Sequence, residues 1–468
     1  MYLRTHQMIR SMKRHRLIFY LSIILSATAC SPRISNSISG PQGNAGLQSG
    51  PMLGYADMFE VLIWVQTKSA GVVKIEYWEA EKPDRKFQTE PVVTVAQHGF
   101  TAKCTADRLE PGRNYQYTVY INGGAVQLPY PTTFKTQPLW QYRTDPPTVS
   151  IAMGSCSYVN EPEYDRPGKP YGSEYQIFGS IAAKKPDVML WLGDNWYFRE
   201  PDFNTRSGML HRATHTRSVP EMQPLLAAAN NYAIWDDHDY GPNDADATFI
   251  HKDMAWQVFQ DFWGNPTYGI PGHKGCTTFF NYADIEFFML DNRYYRTPDY
   301  CKTCPEKTAL GHDQLEWFLE ALAASRAPFK LVAIGGQLLT TDNHDETYTH
   351  LYKAERDTIL SRIEREGIKG VVFLTGDRHF TELSAMKNGA GNWVYDLTVS
   401  ALTSGAFTDA GKKIKNDYRV DGTVVDHHSF SIFNISGPRK ERQLEMKIYD
   451  ADGKELWTKT IGPDGIMK

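Results

Sequence analysis

Five short stretches of the chain carry carboxylate, imidazole, thiol and phenol side chains that could bind metal ions. They are residues 154–158 (GSCSY), 192–197 (LGDNWY), 235–244 (WDDHDYGPND), 290–296 (LDNRYYR) and 375–379 (TGDRH). Carboxylates suit harder ions and can bridge two of them, whereas thiolate and imidazole suit a softer ion. A pair of metal ions can neutralise a phosphoryl group and activate the attacking water. These residue types therefore favour metal-dependent hydrolysis of a phosphate ester.

Each of these stretches follows a short apolar run, such as VSIAM, VMLWL or VVFLT. Continuous apolar runs of this length are typical of buried parallel strands. Ligands of open α/β sheets bind at the carboxyl ends of such strands. Two of the runs end in Gly-Asp, at Asp194 and Asp377. A single Gly-Asp is usually just a turn, but five metal-competent strand ends in one region favour one shared site.

The runs and the helix-like segments between them predict an α/β core over residues 147–468, closed by a C-terminal β-hairpin around 450–453. Helices are expected over 312–325 and 353–366. Residues 55–138 contain short β-branched and aromatic runs separated by turns. That spacing predicts a separate, all-β sandwich domain before the core.

The N-terminus is typical of an exported lipoprotein. Basic residues precede a 13-residue apolar run at 17–29, which is too short to span a bilayer but fits a signal peptide. Cys30 follows small residues, as in a bacterial lipobox. We expect a signal peptide over 1–29, a lipid on Cys30, a flexible tether over 30–54, and a membrane anchor in the cell envelope. Ordinary cleavage and an uncleaved anchor remain alternatives.

Charge and cysteine content narrow the classes of function. The net charge is −4, which gives no nucleic-acid-binding signal. Apart from Cys30 there are five cysteines, and Cys301 and Cys304 form a C-x-x-C. An isolated C-x-x-C is a weak zinc or redox signal, so a disulfide or structural thiols are the favoured interpretation.

Taken together, the motifs resemble the PhoD-like alkaline phosphatase family of the calcineurin-like metallophosphoesterase superfamily. The matching pieces are GSCSY, WLGDNWY, IWDDHDYGPND, LDNRYYR, GGQLL and FLTGDRHFTEL, within residues 59–404. The resemblance implies a β-sandwich followed by a four-layer core of two stacked sheets flanked by helices. It also implies a centre containing Fe³⁺ and Ca²⁺, with zinc, manganese or another divalent metal as alternatives.

The resemblance also implies a ligand set. The residues it assigns to the iron-like site are Cys156, Asp194, Tyr197 and His379. Asp194 would bridge to a calcium-like site held by Asp237 and Asp377. The wider superfamily has Asn where this chain has Asp237, whereas PhoD-like proteins usually have an acidic pair here. Asp236 is therefore the alternative ligand.

Other residues are assigned to the substrate. His238 would be the general acid for the leaving alkoxide or would stabilise the transition state. Arg293 would clamp phosphate oxygens, because its planar fork matches their geometry. Arg296 and Asn243 are further substrate-binding candidates. Gln337 is a weaker candidate for a supporting or additional metal group.

The predicted function is hydrolysis of phosphate monoesters or diesters by a metal-activated water. The chain contains no G-x-S-x-G serine motif, so a serine nucleophile is not expected. Residues 199–220 and 262–304 are expected to cover the pocket. One alternative is a non-catalytic cell-envelope binding lipoprotein with a phosphatase-like fold. Another is an oxidase or haloperoxidase that uses an iron centre.

Overall fold

The computed structural model describes residues 46–304, 306–344 and 346–467. All of these residues belong to one unit, Gln42–Lys468. The predicted signal peptide, the lipidation site Cys30 and the tether up to residue 45 lie outside the described residues and stay predictions. No helix of the described part is long and apolar enough to cross a membrane.

The described residues form 21 strands. Their bounds are β1 Leu47–Ala56, β2 Val61–Thr67, β3 Gly71–Glu79, β4 Lys86–Gln88, β5 Val92–Thr94, β6 Thr101–Ala106, β7 Asn114–Ile121, β8 Gly124–Ala125, β9 Thr133–Lys135, β10 Val149–Gly154, β11 Val188–Leu192, β12 Asn230–Ile234, β13 Thr278–Tyr282, β14 Ile285–Met289, β15 Lys330–Gly335, β16 Val371–Thr375, β17 Glu382–Lys387, β18 Trp393–Thr398, β19 Ser429–Ser436, β20 Gln443–Asp450 and β21 Glu455–Ile461.

Nine α-helices are present among the described residues. Their bounds are α1 Gln176–Ala183, α2 Arg206–Arg217, α3 Gln223–Ala228, α4 Asp237–Tyr240, α5 Lys252–Phe262, α6 His312–Ala324, α7 Tyr348–Leu351, α8 Lys353–Arg365 and α9 Ala410–Lys413. Two 3₁₀ turns lie at Ala96–His98 and Pro220–Met222. Helices α6 and α8 coincide closely with the two segments that the sequence predicted as helical.

Two stacked sheets form the core. The first has nine strands in the order β21-β20-β19-β10-β11-β12-β1-β2-β6, and the second has the order β13-β14-β15-β16-β18-β17. Strands β10, β11 and β12 are parallel neighbours, as are β14, β15 and β16. Every residue of β11, β12 and β16 is buried. One apolar cluster contains residues of both sheets, such as Leu190 and Leu374.

Helices cover the outer faces of this pair of sheets. On the second sheet, Phe318 of α6 and Ile359 of α8 belong to one apolar cluster with Val332 and Phe373. On the first sheet, Ile177 of α1 and Leu225 of α3 join the main core. The predicted α/β class with a four-layer core is confirmed. The parallel strands end at a common edge, which is where the polar stretches begin.

The N-terminal β-structure shares a sheet with the core. Strands β3, β4, β5, β7, β8 and β9 form a third sheet, which packs on β1, β2 and β6. Strand β1 also pairs with β12 through Leu53 and Asn230. The predicted sandwich is therefore present, but it is continuous with the first core sheet.

The prediction of a flexible tether up to residue 54 was wrong at its end, because β1 begins at Leu47. Its Ser, Gly and Pro residues look like a linker by composition, yet Ser49 and Met52 are buried. The glycines serve close packing: a Cβ on Gly54 would lie 2.8 Å from the carbonyl oxygen of Gly264. Backbone pairing with β2 and β12 thus overrides the composition.

The C-terminal hairpin and the C-x-x-C pair are also resolved. Strands β20 and β21 are antiparallel, as the sequence predicted. Cys301 and Cys304 form a disulfide. Cys104, Cys156 and Cys276 are free and buried.

Candidate metal centre

Four predicted ligands lie on tight turns directly after strands. Cys156 follows β10, Asp194 follows β11, and Asp377 and His379 follow β16. Their φ angles are 61°, 53°, 64° and 58°, so each lies in the left-handed region. A non-glycine residue there costs about 1–3 kcal/mol, and such strain concentrates at functional sites. The surrounding fold therefore holds these four side chains in place against their backbone preference.

The iron-like ligand set comes together. Ligand atoms of Cys156, Asp194 and His379 all lie within 4.8 Å of one another. The Cys156 Sγ is 3.6 Å from Asp194 Oδ2 and accepts a hydrogen bond of 3.1 Å from Ser400 Oγ. His379 Nδ1 lies 2.6 Å from the carbonyl oxygen of Gly405, which makes Nδ1 the protonated nitrogen. A metal could then use Nε2, in the way that a carbonyl partner fixes metal-binding histidines.

Tyr197, the fourth predicted ligand of this site, has a buried hydroxyl with no hydrogen-bond partner among the described residues. Burial, together with Asp194 and Cys156, raises its pKa well above the usual value. A buried phenol without a partner is costly. A bound metal ion would supply both the missing partner and the positive charge.

Asp194 also belongs to a second group, with Asp237 and His238. Asp236, Asp237 and Asp377 form a third group whose ligand atoms lie equally close together. Asp194 thus neighbours predicted ligands of both sites, and its role as a bridging ligand stays a prediction. Asp236 and Asp237 both reach the calcium-like position, so the alternative between them stays open.

The electrostatics of these buried carboxylate and thiol groups favour the binding of cations. Burial and the neighbouring Asp237 raise the pKa of Asp194, and burial with Asp236 raises that of Asp377 to about 7. Burial also raises the pKa of Cys156 to about 12. Oδ2 of Asp236 and Oδ1 of Asp237 are buried without a described hydrogen-bond partner. Carboxylate oxygens of this kind fit a hard ion, and the thiol, imidazole and phenol fit a softer one.

His238 packs on Tyr197, with ring centroids 4.3 Å apart. Its backbone NH donates to Asp194 Oδ1 over 3.3 Å, and its Nε2 lies 3.8 Å from Asp237 Oδ2. Burial lowers its pKa to about 4, although Asp237 opposes this shift. The imidazole is therefore neutral at pH 7 and offers one N–H donor.

Arg293 is placed differently from its predicted role. It is only 1% exposed, and its Nε donates to Asp236 Oδ1 over 2.5 Å. Its two terminal nitrogens donate to both oxygens of Glu346, over 3.1 and 2.6 Å. Arg296, 2% exposed, donates to the same Glu346 and to Asp299. Both guanidinium groups hold carboxylates here, and substrate clamping by them stays a prediction.

Asn243 and Gln337 differ in their access to the centre. Asn243 lines a cavity of about 550 Å³ together with Asp377 and His379. It also lines a second cavity of about 240 Å³, which contains His238. Gln337 is buried and donates to Glu382 over 2.6 Å, outside the metal-binding groups.

Three site residues were missed by the sequence reasoning. Asp244 and Glu346 form a further group with Asp237, with ligand atoms within 4.8 Å. Asp244 has φ 58° and follows Asn243 in the quoted motif, which could have signalled it. Glu346 lies on a loop and does not directly follow a strand, so no pattern in the sequence indicated it. Arg199 lines the smaller cavity; it begins the segment that was expected to cover the pocket.

Gly193 sets the spacing between two of the turns, and its replacement tests the geometry. Its φ is 98°, and a Cβ there would lie 2.8 Å from the Cβ of Asp236. We expect Gly193→Ala to push the Asp236 turn away and to lower kcat/KM by roughly a hundredfold, because small misplacements are costly. Phosphate release and metal content measure this effect.

Gly123→Ala is the matched control for this variant. Gly123 also has a positive φ, 82°, but a Cβ there would meet nothing within 4 Å. It reproduces the backbone strain without the clash. Equal loss of activity in both variants would contradict a specific role for the spacing at Gly193.

Comparisons with known proteins agree with this geometry. A solved structure described as PhoD matches with a TM-score of 0.76 and 16% identity, covering 92% of this chain and 93% of the other. Purple acid phosphatase PPD1 from yellow lupin (Lupinus luteus) matches with a TM-score of 0.63 and 13% identity, covering 90% and 74%. These likenesses show the fold. Two stacked sheets with metal-competent side chains at their common edge are the fold of the metallophosphoesterases.

The family follows from the sequence matches. The family model described as PhoD-like phosphatase matches residues 151–437, more than half of the chain. The chain belongs to the PhoD-like phosphatase family. A domain of unknown function (DUF7800) matches residues 44–139. Alkaline phosphatase D of Bacillus subtilis (strain 168) is 22% identical in an alignment 331 residues long, which covers 58% of this chain. The chain spans about half the length of that relative, 52%.

Proposed function

We propose that this chain hydrolyses phosphate esters with metal ions held at the edge of its two core sheets. The observation that carries this proposal is the position of Asp194, which belongs to two adjacent metal-competent groups. The family match and the name of the Bacillus relative support it. The donor set supports iron at Cys156 and His379, and calcium at Asp237 and Asp377.

The residues of the chain can then be given roles. Bound metal ions would supply positive charge for the phosphoryl oxygens and lower the pKa of a water molecule. The carboxylate of Asp194 would be shared by the iron-like and the calcium-like metal positions. The neutral His238 donates its N–H to a phosphoryl oxygen. Arg293 fixes Asp236 and Glu346, while Asn243 faces both cavities in which the groups attached to phosphorus can lie.

Removal of metal tests the proposal. We expect the purified chain to release phosphate or alcohol from p-nitrophenyl phosphate, from bis(p-nitrophenyl) phosphate, or from both. Dialysis against a chelator should abolish turnover, and added iron with calcium should restore it. Elemental analysis of the same sample identifies the ions. A folded protein that cleaves neither reporter would contradict the proposal, and one that also holds no metal would favour the binding lipoprotein.

His238→Asn tests the proposed role of His238 as a hydrogen-bond donor to a phosphoryl oxygen. Hydrogen bonds of this kind contribute about 10²–10³-fold to kcat. Because the imidazole donates to a phosphoryl oxygen in this proposal, we expect similar losses with an aryl and an alkyl phosphate. A much larger loss on the alkyl ester would instead show that His238 protonates the leaving oxygen. His312→Asn, on the exposed start of α6, is the control.

We also propose that the chain is exported and anchored, as its N-terminal sequence predicts. The Cys301–Cys304 disulfide supports this, since disulfides persist in oxidising compartments. Fractionation of cells would test it: recovery of the protein in the cytosol, with unmodified Cys30, would contradict it.

A further inference from the structure

A second, smaller cavity lies beside the metal centre. It has a volume of about 240 Å³, and its lining includes Tyr171, Arg199, His238 and Asn243. The larger cavity lies on the side of Asp377, and the two share Asn243. The candidate centre is therefore accessible from two sides, and a substrate can place a different group in each cavity.

The smaller cavity contains a buried arginine. Arg199 is 7% exposed, and its Nε donates to the hydroxyl of Tyr158 over 3.1 Å. Its guanidinium carbon lies 4.7, 5.4 and 5.9 Å from the ring centroids of Tyr158, Tyr197 and Tyr171. Its two terminal nitrogens form no hydrogen bond or ion pair with any residue that the structure describes.

Several other buried arginines of this chain have a carboxylate partner, whereas Arg217, which packs on Trp263, has none among the described residues. Arg212 pairs with Asp202 over 2.8 Å, and Arg442 pairs with Asp284 over 2.8 Å. A desolvated charge without a counter-charge is costly, so it needs another source of stabilisation. The three tyrosine faces supply part of it. The terminal nitrogens remain available to an anion that enters the cavity.

The rest of the lining favours an anion as well. Arg166 and Lys169 also line the cavity and are exposed. Asp165 is the one carboxylate among the lining residues, and both its oxygens already accept hydrogen bonds of 2.6 Å. Arg166 is paired with Glu200 over 3.0 Å, so Arg199 and Lys169 are the lining cations without a carboxylate partner among the described residues. The planar fork of Arg199 fits a phosphate or carboxylate group.

We propose that this cavity binds a second anionic group of the substrate, a phosphate or carboxylate other than the one that is cleaved, with Arg199 as its main contact. This inference rests on the proposed phosphoesterase function. The guanidinium packs against the ring of Tyr197, whose hydroxyl faces the metal-competent groups. Arg199 therefore lies beside the candidate metal centre, and phosphate esters with a second anionic group become the preferred substrate class.

Three small substrates test this proposal. Glycerol 1-phosphate has no second anion, glycerol 1,3-bisphosphate has a second phosphate, and 3-phosphoglycerate has a carboxylate. The selectivity is the kcat/KM for each ester with a second anionic group divided by that for glycerol 1-phosphate. In Arg199→Met we expect it to fall about tenfold or more for one or both, since a charge-assisted hydrogen bond is lost. The substrate that responds identifies the anion.

Two further variants make the test decisive. Lys169→Met changes an exposed side chain at the cavity, so it should fold normally and lower the same selectivity about threefold by loss of one positive charge. Arg439→Met, at an exposed position outside the cavity, should leave the selectivity unchanged. Thermal unfolding of each variant shows whether it is folded.

The outcomes separate the two proposals. If the wild-type chain cleaves no phosphate ester, the proposed function itself is wrong. If the wild-type chain is active but Arg199→Met lowers kcat/KM equally for all three substrates, the second-anion site is overturned. If Arg199→Met does not fold, an unchanged selectivity in Lys169→Met overturns it.

Discussion

Asp194→Asn is expected to lower kcat/KM for phosphate esters by roughly a thousandfold or more, because loss of one carboxylate removes a ligand from both metal positions. The same change should leave the metal-free chain as stable as before or more stable. Burial and Asp237 raise the pKa of Asp194, so its ionised form opposes folding. This cost is present at pH values above the raised pKa and is absent below the ordinary value.

Three measurements check this expectation: turnover, metal content, and thermal unfolding at pH 8 with and without metal. The wild type should be stabilised strongly by metal, and Asp194→Asn should not. Asp313→Asn, an exposed position on α6, is the control. A variant that keeps its metal ions and its activity would show that Asp194 is not shared between two ions.

Arg293→Met is expected to lower the free energy of unfolding by about 3–5 kcal/mol, the usual result of leaving buried carboxylates without their cation. Arg293 contacts Asp236 and both oxygens of Glu346, and its Nη2 lies 3.7 Å from Asp237 Oδ1. Its loss should also misplace the Asp236–Asp237 turn. We therefore expect weaker calcium binding and loss of turnover together.

Arg442→Met is the matched control for Arg293→Met. Arg442 is fully buried and paired with Asp284, outside the metal-competent groups. Arg442→Met should lower the free energy of unfolding by a similar amount without changing the affinity for metal. Chemical denaturation and metal titration measure both variants. If Arg293→Met binds metal normally and loses only its affinity for phosphate, the predicted clamp is correct and the positioning role described here is wrong.

The sequence predicted the metal-competent groups well because their residues follow buried strands. Apolar runs such as β11 and β16 determine which strands are parallel and buried. Polar side chains such as Asp194 and Asp377 then follow the carboxyl ends of those strands. The fold class followed from this regularity, whereas the iron-like ligand set was implied by the family resemblance.

Long-range pairing could not be predicted in the same way. Arg293 has the residue type of a phosphate clamp, but its partner Glu346 lies 53 residues later on an irregular loop. The burial of Arg199 depends on tyrosines contributed by separate segments. The composition of β1 indicates a linker, and only its pairing with β2 and β12 makes it a strand. Such contacts have no local pattern in the sequence.

The shared strand β1 has a consequence for how this protein folds and how it can be divided. A shortened chain that starts at residue 55 would lack most of the strand between β2 and β12 and would expose two sheet edges. The N-terminal region therefore cannot be removed as an independent module. Loss of the N-terminal region is expected to displace Asp236 and Asp237, which follow β12 closely in the chain. Neither region can be exchanged without supplying a new neighbour for the strand that precedes Asp236 and Asp237.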